Sequence, residues 1–124
     1  MITEIKIPIY DCKIVVATSN EIDSELDGSQ LDLKRDGNVA ALTGELHRAD
    51  YFSLFVYLDL DMIEDQDLSL EMTIDHEVLH LVFYIFDFYN VEIVKGGSNE
   101  HFTYFFNYID KAITDVLTVH KKVC

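Results

Sequence analysis

Residues 73–82 read Thr73-Ile74-Asp75-His76-Glu77-Val78-Leu79-His80-Leu81-Val82, inside a stretch from Leu68 to Tyr89 that holds neither Gly nor Pro. Twenty-two residues without a breaker, with apolar side chains recurring through them, predict one helix over 68–89. On a helix, His76 and His80 stand at i and i+4, one turn apart on the same face, so both imidazoles can reach a single metal ion. Glu77 falls beside that face, where its carboxylate can approach a water at the ion without being a ligand. Only Asp75 is charged among the non-motif neighbours; Ile74, Val78, Leu79, Leu81 and Val82 are apolar. Such flanks bury the helix and keep stray charge away from a cation.

Downstream, Gly96-Gly97 breaks the chain and Ser98-Asn99 can cap a second helix running to about Val119. In it Phe102, Phe105, Phe106, Ile109, Ile113, Val116 and Leu117 recur at three- and four-residue spacing, which makes one apolar face. Glu100 falls off that stripe, in the first turn, where the helix dipole favours negative charge. Upstream, residues 4–18 are β-branched and extended in character, with Pro8 placed at a strand start or sheet edge. Within 19–33, Ser19 as N-cap, then Ile22 and Leu26, fit a short helix ending near Gly28. After the turn signal Asp36-Gly37-Asn38, two apolar runs predict a β-hairpin of residues 38–47 and 51–58. The acidic run 59–67 reads as a connection. Strands followed by two long helices predict an α+β class. With 124 residues, the chain has room for one domain, 1–124, and one core.

A catalytic zinc takes three protein ligands and a water, and the histidine pair supplies two. Nineteen residues separate His80 from Glu100, which is preceded by Asn99. HExxH followed at this separation by Asn-Glu resembles the gluzincin arrangement of thermolysin-like metallopeptidases. The run Asn99-Glu100 with Tyr104 four residues on most resembles small single-domain gluzincin-like proteins encoded by bacteriophages and prophages. The resemblance covers residues 73–104 and, more loosely, the order of strands and helices. It implies a minimal zincin-like fold, an N-terminal β-sheet packed on two long helices. It also implies a Zn2+ cofactor held by His76, His80 and Glu100, with Glu77 as catalytic base. The motif assigns no group to stabilise the transition state; Tyr104, one turn beyond Glu100, is the candidate. Thr103 and Tyr104 stand where thermolysin-like enzymes carry an acidic residue that orients a ligand, so Asp75 or Asp87 is assigned that work. An extended peptide would pair with an edge strand above the HExxH helix, for which 51–58 is the candidate.

Composition limits the partners. Hydrophobic residues at 49% suffice for a core, and a net charge of −14 from 23 acidic and 9 basic residues repels phosphate backbones, which argues against nucleic acid. Cys12 and Cys124 are too few and too distant for a disulfide framework or a cysteine metal site. The N-terminal stretch carries Glu4 and Lys6, unlike a signal peptide, and the apolar run Leu79–Phe86 is far too short to span a membrane. The expected setting is cytoplasmic: host cytoplasm or virion, if phage-encoded. His47, His101 and His120 are single histidines in the sequence. Two functions follow. One is a zinc metallopeptidase acting on a protein or peptide, with a virion or host protein as a possible partner. The other is a non-catalytic acidic interaction protein, a virion component or an inhibitor of a host defence system, that keeps a zincin fold and zinc.

Overall fold

The computed structural model describes residues 1–8, 10–18, 40–46, 52–93, 97 and 99–123, with side chains through 120. Four strands come first: β1 (Ile2–Ile7), β2 (Cys12–Ala17), β3 (Ala41–Leu46) and β4 (Phe52–Leu58). Three helices follow: α1 (Leu60–Asp65), α2 (Leu70–Phe88) and α3 (Glu100–Val123). The class is α+β. The short helix expected from Ser19 to about Gly28 lies outside the described residues.

The strands form one sheet in the order β1-β2-β4-β3. The segment that reads as continuously extended over 4–18 is two strands. Pro8 cannot donate to a ladder, and the chain turns there, so that β2 returns antiparallel to β1 with Ile7 opposite Cys12. β3 and β4 make the expected antiparallel hairpin, Thr43 opposite Val56 and Gly44 opposite Phe55. The other neighbour of β4 is β2, in a parallel pairing. One expectation is thereby corrected. Strand 52–58 is internal, and the edge strands are β1 and β3.

Period-two alternation divides the apolar residues between the two faces of the sheet. Ile14, Val16, Leu54, Val56 and Leu58 join Val78, Leu81, Val82 and Ile85 of α2, and Phe105, Ile109 and Ile113 of α3, in the main core. Each such side chain, fully buried, contributes about 1.5–3 kcal/mol of transfer free energy. Val15, Ala17, Leu46, Phe55 and Tyr57 form a second cluster on the opposite face. Both faces of β2 and β4 are therefore buried. That accounts for their nearly unbroken apolar sequences.

The acidic run after β4 is not a plain connection. Asp59 caps α1 by accepting from the Met62 amide at 3.0 Å, and Ile63 anchors the short helix in the core. The chain turns off it at Asp67, whose left-handed φ of 53° lets the Leu68 amide reach the Ile63 carbonyl at 2.9 Å. Ser69 then caps α2, accepting from the Met72 amide at 3.2 Å. The far end of α2 repeats the device: Asn90 takes φ 55°, and the Val91 amide bonds to the Phe86 carbonyl at 2.8 Å. The HExxH helix thus continues two turns beyond His80. α3 starts at Glu100 and runs four residues past the expected Val119, to Val123. Among the described residues no helix is long and apolar enough to cross a membrane.

Candidate metal centre

The core-facing stripe of α2, Ile74, Val78, Leu81 and Ile85, turns its opposite side outward, and His76 and His80 lie on that exposed side. Their Nε2 atoms are 3.2 Å apart, with ring centroids at 4.9 Å and planes at 77°. Two zinc–nitrogen bonds of about 2.0–2.1 Å at a tetrahedral angle place their nitrogens about 3.3 Å apart. The pair therefore fits two corners of one tetrahedral ion. Without an ion, the same approach is a hydrogen bond from one imidazole to the other.

Glu77 behaves differently from its neighbours. One residue further round the helix, it turns toward the sheet edge and is only 6% exposed. Ser53 and Glu77 are the buried polar side chains among the described residues. The Thr43 hydroxyl, from β3, donates a hydrogen bond to Glu77 Oε2. An ionised carboxylate so removed from water needs such a donor.

Glu100 does not stand beside the histidines. It is exposed at the first residue of α3, next to His101, whose ring stacks on Phe86 at 5.4 Å. Phe86 is six residues beyond His80, about 9 Å along the helix axis. Because α2 persists to Phe88 before the chain turns, the start of α3 meets its far end, not the level of the histidines. Among the described residues no third His, Cys, Asp or Glu joins the pair in a group that could hold an ion. His101 is engaged elsewhere: Tyr10 Oη lies 2.7 Å from its Nε2.

The other expected residues divide. Asp87 is exposed and, with His80, Phe83 and Tyr84, lines an open cleft of about 370 Å3 beside the pair. Asp75 faces the other way, to α3, where it is hydrogen-bonded with Asp110. Burial, that hydrogen bond and the charges of Asp75 and Glu71 push the Asp110 carboxyl up to about 7. Its Oδ2 is buried without a hydrogen bond. Tyr104 is 53% exposed, stacks on Tyr108 at a centroid distance of 6.4 Å, and is absent from the cleft lining.

Sequence reasoning passed over Thr43. It sits 34 residues from Glu77 in a strand of ordinary composition, and only the pairing of β3 with β4 brings it to the helix. No local signal marks it. Comparison with protein-family models, with curated proteins and with solved structures finds no match to the chain.

Proposed function

We propose that the chain is a zincin-type, zinc-dependent hydrolase of peptide bonds, in which His76 and His80 hold the ion and Glu77 is the base. The observation that carries this reading is the 3.2 Å approach of the two Nε2 atoms beside a nearly buried glutamate. A structural ion held by two histidines would need no such glutamate. When bound, zinc supplies a Lewis acid that activates water and polarises a carbonyl. Glu77 takes a proton from the attacking water and delivers it to the leaving amine as the C–N bond breaks. The His80–Asp87 cleft offers space for the chain flanking the scissile bond, and β3 is the edge to which an extended peptide can add. Glu100 is the third ligand that the family resemblance assigns. It reaches the pair only if the first turn of α3 shifts along α2.

The test is Glu77→Gln, which preserves shape and removes the basic carboxylate. The variant should keep its zinc and thermal stability and lose about two to four orders of magnitude in chelator-sensitive hydrolysis of unfolded protein substrates. Undiminished cleavage would overturn the mechanism.

The position of Glu100 favours a second reading: a non-catalytic acidic interaction protein, virion component or inhibitor of a host defence system, that keeps the zinc pair. In that case wild type cleaves nothing, Glu77→Gln binds its partner unchanged, and substitutions in the acidic 59–67 segment weaken binding.

A further inference from the structure

The setting of Glu77 raises a question that the histidines do not. A glutamate has three rotatable bonds, and a base that acts on one water must be held in one orientation. Burial alone does not fix it. A carboxylate at 6% exposure turns to whichever donor is in reach. Thr43 is that donor, and its own position is well determined. It pairs with Val56, a residue of the helix-facing core, so strand alternation aims the Thr43 side chain at α2. Its β-branched side chain has restricted χ1 freedom, which makes the hydroxyl a stiff anchor. It engages Oε2 alone.

We propose that Thr43 is the positioning residue for Glu77: from edge strand β3 it holds Oε2 and leaves Oε1 to face the water that the base deprotonates. This inference rests on the hydrolytic reading for its consequence, but the anchoring itself can be measured without any substrate. Thr43→Val keeps the shape and removes the donor; Thr43→Ser keeps the donor and loses a methyl.

The direct experiment is 13C relaxation of the Glu77 side-chain methylenes in wild type and both variants, with zinc content and melting temperature as controls. The Glu77 methylenes should be ordered in wild type, mobile in Thr43→Val and ordered again in Thr43→Ser, with zinc content unchanged throughout. In the hydrolysis assay, Thr43→Val should lower kcat by about 10- to 100-fold with KM nearly unchanged, the usual worth of a hydrogen bond to a charged group, and serine should restore it. Equal order in wild type and Thr43→Val would overturn the anchoring. Order lost with full kcat retained would overturn the positioning role. A wild-type protein that hydrolyses nothing would contradict the hydrolytic reading and with it the catalytic consequence, while the relaxation result would still decide the anchoring.

Discussion

His76 Nε2 and His80 Nε2 converge to 3.2 Å on the exposed side of α2, while Glu100 opens α3, where the adjacent His101 stacks on Phe86. Two imidazole nitrogens without a carboxylate make a weaker site than the three-ligand centre of a catalytic zinc protein. The ligand set can be ranked by zinc titration against a chromophoric chelator. His80→Ala should lower zinc affinity by at least about 100-fold, whereas Glu100→Ala should change it by less than about tenfold. An equal loss in both would show that the first turn of α3 closes onto the pair when the ion binds.

The Asp75–Asp110 contact gives stability a definite pH dependence. The Asp110 carboxyl is raised from 3.8 to about 7 in the folded chain, so between those pH values the native state binds more protons than the unfolded one. Stability therefore falls as pH rises through that window and is level above it. Asp110→Asn removes the penalty. It should stabilise the protein by on the order of 1 kcal/mol at pH 8, a discounted figure because water screens the partly exposed pair, and by almost nothing near pH 4. Urea unfolding at the two pH values reads the difference. A gain as large at pH 4 as at pH 8 would contradict the assignment.

Gly44 tests the second face of the sheet. A Cβ there would meet Phe55 Cε1 at 2.8 Å and Cζ at 3.1 Å, and that ring is 1% exposed. Gly44→Ala should cost about 1–3 kcal/mol through overpacking. Chemical denaturation would show it as a lower midpoint with an unchanged slope. A neutral result would mean the Phe55 ring can shift.

Cys12 is a free, buried thiol whose pKa burial and the nearby Asp11 charge raise to about 12. In a Cys124→Ser background, native protein at pH 8 should react with a thiol reagent only as fast as it unfolds, because the thiolate is scarce and shielded. Rapid labelling without denaturant would place Cys12 at the surface.

Much of the local structure was legible because local rules govern it. The span from Leu68 to Tyr89 without Gly or Pro, the apolar stripe from Phe102 to Leu117, and the two runs of the β3–β4 hairpin announce themselves in a single reading. α1 was missed: the acidic residues of 59–67 read as a connection, although Asp59 caps a helix that Ile63 anchors in the core. What could not be read depends on distant pairing. That strand 52–58 is internal follows from its parallel pairing with β2, across more than thirty residues. The partner of Asp75 is another carboxyl, a choice that charge reasoning along the sequence argues against. Glu100 looked well placed by count, yet its position depends on where α2 stops, and that is fixed by the left-handed turn at Asn90.

Whether His76 and His80 share one zinc ion is read from diffraction of zinc-loaded crystals at the zinc absorption edge. One anomalous peak per chain should stand about 2.0–2.1 Å from both Nε2 atoms, and the peak and the stoichiometric zinc should both be lost in His76→Ala,His80→Ala. Stoichiometric zinc with no peak at that point, or zinc retained undiminished in the double variant, would contradict a shared ion.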